Sequence, residues 1–181
     1  MRARLLLAAA ALIMSGTSCL DSTTAPTAPM RSPVAARRDD APALQLLSCP
    51  ADEGQQATGL LGLLGGTLSL GGNSLHLPLG GLLSAQLFQV VVPASQYMEV
   101  DVHAVGLTSF LFQRPATITI DYSRCADSIP EGAQLHVVYI DSDTKAVLED
   151  MGGADDSLAH RITFSTPHLS GYAVAYDSSE Y

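Results

Sequence analysis

The chain has 181 residues, a length that suits one domain, with 9 Lys and Arg against 18 Asp and Glu and a formal net charge of −9. Hydrophobic residues make up 47%, which argues against a wholly disordered chain. An acidic chain has little to neutralise a run of phosphates, so we expect no nucleic-acid partner. Lys145 is the single lysine, so lysine-based chemistry would depend on that residue.

Residues 1–18 have the pattern of an export signal. Arg2 and Arg4 give a basic start, and the apolar run Leu5 to Met14 is too short for a bilayer core, which takes about 20 residues. Small residues then precede Cys19, which resembles a bacterial lipoprotein signal, although Gly16 stands where such signals usually have leucine. We expect an exported protein anchored in the outer membrane through lipid on Cys19. The alternative is a secreted or periplasmic protein without a lipid.

Residues 19–48 are predicted to be a linker, because most of this stretch is rich in Ser, Thr, Ala and Pro. Its prolines deny donors to a sheet and forbid a continuous helix, and its composition cannot bury enough apolar surface to offset ordering. Without the signal, 7 basic and 18 acidic residues remain, a net charge of −11. The folded domain is then expected at 49–181.

Cys49 and Cys125 are the remaining cysteines, and we predict a disulfide between them. An even pair in an exported, oxidising compartment is more often a disulfide than two free thiols. Two cysteines with no nearby histidine cannot build a zinc site. We expect no cofactor.

An uncharged run from Gly54 to Met98 could suggest a membrane span, since Gly62 and Gly66 form a GxxxG pattern. Pairs of glycine at 65–66, 71–72 and 80–81 interrupt it at turn-like intervals. Between them the leucines alternate, at 68 and 70 and then at 75, 77 and 79. Alternation predicts short strands joined by glycine turns, and we reject the span.

The rest of the chain also predicts strands. Residues 98–104 and 116–122 alternate between apolar and polar side chains, which indicates one buried and one solvated face. We expect Glu99, Asp101 and His103 to face water. Residues 87–92 and 135–140 are apolar on both faces, which predicts central strands. We expect the last two strands at 161–165 and 172–176. A turn is predicted at 151–156. The predicted fold is an all-β, antiparallel two-sheet β-sandwich.

Four short motifs, in this order, resemble the ZU-five domain, a β-sandwich of ankyrins and netrin receptors that also occurs in exported bacterial proteins. The resemblance covers residues 65–176 and implies a docking or spacing unit. The chain departs from the family pattern with Leu79-Gly80-Gly81 in the first turn and with Leu169 in place of phenylalanine. The motifs are Gly65-Gly66-Thr67-Leu68-Ser69-Leu70, Leu75-His76-Leu77-Pro78, Phe112-Gln113-Arg114-Pro115 and His168-Leu169-Ser170-Gly171-Tyr172.

The last motif also resembles self-cleaving members of that family. There Ser170 would attack the preceding carbonyl with His168 as base, and the bond between Leu169 and Ser170 would break. The alternative is a turn into the final strand, with Leu169 in the core. We favour the structural alternative and expect no enzyme.

Asp141 and Asp143 are a weak calcium candidate, because calcium prefers clustered oxygen ligands. The glycine and distal glutamate of an EF-hand are missing, and acidic residues in turns are usually solvated. The five histidines form no HExxH pattern, and the chain has no GxSxG or phosphate-binding loop. The sequence therefore favours a structural or interaction module of the cell envelope with an unidentified protein partner. A self-cleaving domain and a calcium or small-ligand binder remain the alternatives.

Overall fold

The structure is a computed structural model that describes residues 43–177. The predicted export signal and Cys19 lie outside these residues. Within them the chain forms twelve strands. They are β1 (Leu44–Leu46), β2 (Gln55–Leu61), β3 (Gly66–Leu70), β4 (Asn73–Leu77), β5 (Gln86–Val92), β6 (Glu99–Ala104), β7 (Leu111–Asp121), β8 (Leu135–Ile140), β9 (Val147–Gly152), β10 (Ala154–Asp156), β11 (Arg161–His168) and β12 (Gly171–Asp177).

The strands form two antiparallel sheets around a shared core, which confirms the predicted sandwich. The larger sheet has the order β2-β5-β6-β12-β8-β9, with β1 beside β12, and the smaller sheet has the order β10-β11-β7-β4-β3. The uncharged run supplies β2 to β5. In the described part of the chain, no helix has the length and apolar character to cross a membrane.

Alternation predicts the core correctly along β6 and β7. Burial of one large apolar side chain stabilises the fold by about 1.5–3 kcal/mol relative to leaving it exposed. Two rings from the β6–β7 region, Phe110 and Phe112, pack against Phe88 of β5 with centroids 5.4 and 6.0 Å away. The predicted inward residues are all buried: Met98, Val100, Val102, Ala104, Ala116, Ile118, Ile120 and Tyr122.

The prediction that Glu99 faces water is wrong. Glu99 is 1% exposed, although it points away from the core like its neighbours Asp101 and His103. Lys145, from the turn between β8 and β9, lies over it and places its Nζ 2.6 Å from Glu99 Oε2. A partner distant in the chain therefore converts a predicted surface position into a buried one.

Two predicted boundaries also change. The linker was predicted to reach residue 48, but β1 pairs with β12 and Leu47 is fully buried, so the domain begins before Cys49. Residues 151–156 were predicted as a turn, but they complete β9 and form β10. Between these strands Gly152 and Gly153 have φ values of 65° and 138°, which lets the chain pass from one sheet to the other.

The predicted disulfide joins Cys49 to Cys125 and fastens one end of the sandwich, which we call the disulfide end. Cys125 lies in a short 3₁₀ helix, Ser123–Ser128, that follows β7, and the two Cα atoms are 4.8 Å apart. Arg124 donates hydrogen bonds of 2.8 Å to the carbonyl oxygens of Pro50 and Tyr97 beside it. The described chain enters the domain at this same end, through β1.

Candidate functional site

The opposite end of the sandwich carries exposed aliphatic side chains on three neighbouring strands. Leu60 of β2 pairs with Leu87 of β5, and the backbone of Val105, just after β6, donates to the Leu87 carbonyl. Their exposures are 68%, 39% and 41%. Because Phe88 points into the core, Leu87 and its two neighbours lie on the outer face of the sheet. They form one apolar row across three strands.

The apolar row continues into the adjoining turns. Gly80 donates to the Leu63 carbonyl, which joins the β2–β3 turn to the β4–β5 loop. Gly65 has a φ of 76°, and a side chain there would collide with the Leu77 carbonyl oxygen, so this tight turn requires glycine. We call the whole surface the apolar end. It comprises Leu60, Leu63, Leu64, Leu79, Leu83, Leu87, Val105, Leu107 and Leu111, which are between 39% and 86% exposed.

The apolar end includes one position that sequence alternation assigned differently. The alternation of leucines at 75, 77 and 79 predicted a strand that includes Leu79. Strand β4 ends at Leu77 and the chain turns at Pro78, so Leu79 is 65% exposed. Large exposed apolar patches are uncommon on monomeric soluble proteins, and they often coincide with interaction surfaces.

Beside the apolar end lies an open groove of about 620 Å³, which we call the end groove. It lies where β6 separates from the turn between β11 and β12. Its lining includes a carboxyl group on the outer face of the larger sheet, several serine and threonine residues, and residues such as Phe110 and Tyr139 that also pack against the core. Its principal residues are Asp101, Thr108, Phe110, Tyr139, Ser142 and Ser170.

Asp101 is held in position inside the end groove. Ser142 donates a 3.2 Å hydrogen bond to its Oδ1, and both groups lie directly above Gly171 of the neighbouring strand. A side chain at Gly171 would lie 2.6 Å from Asp101 Oδ1 and 2.6 Å from Ser142 Oγ. Burial raises the pKa of the Asp101 carboxyl above its ordinary value, and the Ser142 hydrogen bond opposes that rise.

The turn that carries Ser142 is anchored by the Lys145–Glu99 pair. Lys145 has a left-handed backbone, with φ at 59°, which directs the turn back over the sheet. The lysine side chain is 30% exposed and the glutamate side chain 2% exposed. Among the described residues, the second oxygen of Glu99 has no hydrogen-bond partner, so its charge depends on Lys145.

The predicted self-cleavage pair lies at the turn into β12. The hydroxyl of Tyr172 donates to the carbonyl oxygen of His168 at 2.7 Å, and the hydroxyl of Thr166 donates to it at 2.9 Å. Within residues 43–177 no hydrogen bond joins the His168 ring to Ser170. Apart from glycines, the described residues with a left-handed backbone are Lys145 and His160, and neither lies in this turn. These contacts give the segment a structural role, and self-cleavage stays an untested prediction.

The predicted calcium candidates lie in the turn between β8 and β9. Asp141 Oδ1 accepts hydrogen bonds from the backbone N–H groups of Asp143 and Thr144, at 3.1 and 2.7 Å, and from the Thr144 hydroxyl. These bonds lower the pKa of Asp141 and close the turn. In the described residues, no three His, Cys, Asp or Glu side chains are grouped to hold a metal ion.

No known family model matches this chain, and no curated protein matches it. Sequence reasoning missed the apolar end, although its signal was present: the run 54–98 contains more leucines than alternating strands can bury. It also missed the end groove, because Asp101, Ser142 and Ser170 come from three separate segments and share no motif.

Proposed function

We propose that this protein is a non-enzymatic interaction module of the cell envelope, exported and tethered through a lipidated Cys19, that docks a protein partner on its apolar end. The observation that carries this proposal is the group of nine exposed aliphatic side chains at the apolar end, of which Leu60, Leu87 and Val105 form one row across three strands. The resemblance to ZU-five domains, which serve as docking or spacing units, supports the same class of function.

The direction of the chain favours a protein partner over the anchoring membrane. The described chain enters at the disulfide end, and the apolar end lies one strand length away. Strand β2 has seven residues, so that separation is about 23 Å. Attachment at the disulfide end leaves the apolar end free for a partner.

Charge also disfavours the membrane as the occupant of the apolar end. No Asp, Glu, Lys or Arg occurs between residues 54 and 98, so β2 to β5 and their turns offer no basic side chain to anionic headgroups. Membrane-surface elements usually combine an apolar face with lysine and arginine. The patch is therefore suited to an apolar surface on another protein.

Site-specific crosslinking in the native cells tests the proposal. A photoreactive amino acid at Leu64, which is 86% exposed in the apolar end, should give an adduct with one protein partner. Leu158 is 96% exposed beside Asp155 and Asp156, far from the apolar end, and provides the matched control. An adduct at 64 that is absent at 158 supports docking; adducts only with lipid, only with a second copy, or equally at both positions contradict it.

The tether is tested separately with a clickable fatty acid fed to the cells. The mature protein should be labelled, and the Cys19→Ala variant should not. Unlabelled wild-type protein would remove the lipid anchor from the proposal and leave a secreted or periplasmic module.

A further inference from the structure

We propose that residues 31–42, which precede β1, dock on the outer face of the larger sheet and cover a second apolar cluster there. The inference does not rest on the partner proposed above, because this surface is separate from the apolar end. We call it the outer cluster; it comprises Val138, Ile140, Ala173 and Ala175, with Leu44 and Leu46 of β1 packed against it.

The outer cluster lies back to back with the core. Val138 of β8 is paired with Ala173 of β12, and both side chains are fully buried. Their neighbours Val137 and Val174 belong to the core. Because successive side chains of a strand point to opposite faces, Val138 and Ala173 point away from the core. The other two members of the cluster follow two residues further along each strand, so four apolar side chains share the outer face.

The burial of the outer cluster indicates a layer over this face. Strand β8 carries apolar residues on both faces, which is typical of a sheet that is covered on both sides. The smaller sheet covers the core side. On the outer side the four cluster residues are at most 1% exposed, although the described apolar residues packed against them belong to β1, which lies beside β12 in the same sheet. A strand of the same sheet borders the cluster and does not cover it.

Buried carboxylate oxygens at the margin of the outer cluster lack donors among the described residues. Glu99 is paired with Ala173, and its Oε1 has no hydrogen-bond partner there. Asp177, two residues beyond Ala175, also has an Oδ1 without a partner, and this atom lies 3.7 Å from His136 Nε2, beyond hydrogen-bond distance. A buried acceptor without a donor is costly, so the layer over this face should supply N–H groups.

Residues 31–42 have the composition that this surface requires. Three arginines and no acidic residue give residues 31–38 a charge of +3, and two aspartates follow at 39–40. Each guanidinium carries five N–H donors and stays charged, which suits buried carboxylates. Small apolar residues, Val34-Ala35-Ala36, stand between the arginines and match the alanines of the outer cluster. The segment needs no core of its own, because the sheet supplies the apolar surface. The arginines are Arg31, Arg37 and Arg38.

The segment can reach the outer cluster from its attachment to β1. Leu44 is paired with Asp177, and Glu99 with Ala173, so these two positions lie four residues, or about 13 Å, apart along β12. Arg38 precedes Leu44 by six residues, which extend to about 20 Å. That length allows a turn and a return over the sheet. Attachment also gives the segment a high effective concentration, which a second copy or another protein lacks.

Trypsin cleavage at the arginines of the mature protein tests the proposal. A synthetic peptide of residues 19–43 contains the same cleavage sites and gives the unprotected rate. We expect the protein to be cleaved after residues 37 and 38 about tenfold more slowly than the peptide, because cleavage tracks the undocked fraction of the segment. Equal rates in the protein and the peptide, or protection that depends on the protein concentration, would overturn the proposal.

Variants locate the protection on the outer cluster. Ala175→Arg places a charge within the cluster and should abolish the protection. Asp177→Asn should reduce it about threefold or more, because a charged acceptor is lost, and it keeps the test valid if the Ala175 variant fails to fold. Asp143→Asn, in the exposed turn between β8 and β9, is the matched control and should leave the cleavage rate unchanged. An Asp177 variant as protected as wild type would overturn the role of the carboxylates.

A crosslink within the chain reports the position of the segment directly. A photoreactive amino acid at Ala36 should form an adduct with peptides of β8 or β12 in the same molecule. Adducts only with other parts of the domain, or only with a second molecule, would overturn docking on the outer cluster.

Discussion

Removal of the disulfide should cost a large part of the stability of this domain. Cys49 and Cys125 are separated by 76 residues, and in the chain-entropy model a bond across such a loop stabilises the fold by about 4.5 kcal/mol. The net stability of a domain is typically about 5–15 kcal/mol. We therefore expect the Cys49→Ala/Cys125→Ala protein to remain folded with a much smaller margin.

Urea unfolding of the mature protein measures this loss. With a slope of about 2 kcal/mol per molar urea, the midpoint of the double variant should fall by about 2 M. Wild-type protein in excess reductant is the control and should fall by a similar amount. Arg124→Met, which removes the hydrogen bonds to Pro50 and Tyr97 but keeps the covalent bond, should fall by much less. A loss below about 1 kcal/mol in the double variant would refute the loop-closure reasoning.

Two further substitutions test the packing around the end groove. Lys145→Met should destabilise the domain by about 3 kcal/mol in thermal or urea unfolding, because it leaves the Glu99 charge buried without a partner. Glu99→Gln/Lys145→Met should recover part of that loss, and no recovery would mean that the charge is not the cause. Gly171→Ala should cost about 0.5–1.5 kcal/mol, since the tips of the Asp101 and Ser142 side chains, each 2.6 Å from the added methyl group, would have to move away. A Gly171→Ala variant as stable as wild type would contradict that close approach.

Alternation was informative where one face of a strand meets the core and the other meets water. This is why the buried sets of β6 and β7 were predicted residue by residue. The same rule failed at Glu99, because alternation reports the direction of a side chain and not what covers it. Lys145 covers Glu99 from 46 residues further along the chain, and no local pattern encodes that contact.

Composition predicted the kind of each segment, but it did not predict where the segments begin and end. Residues 19–48 look like a linker by their content of proline and small residues, yet Leu44 to Leu47 are apolar enough to join the sheet. The paired glycines at 152–153 looked like a turn, but they connect two strands of different sheets. The end groove had no sequence signal, because three separate segments meet only after folding.

The distribution of charge along the chain bears on which partner can bind the apolar end. From Cys49 onward 15 acidic residues face 4 basic ones, while none of either lies between 54 and 98. A second copy docked on the same surface would bring two strongly acidic domains together. Charges are largely screened beyond about 8 Å at physiological salt, and acidic residues such as Asp121, Asp155 and Asp156 lie toward the disulfide end, so the repulsion at the apolar end is weak. Apolar complementarity at the apolar end therefore decides its occupant, and the crosslinking experiment distinguishes a different protein from a second copy.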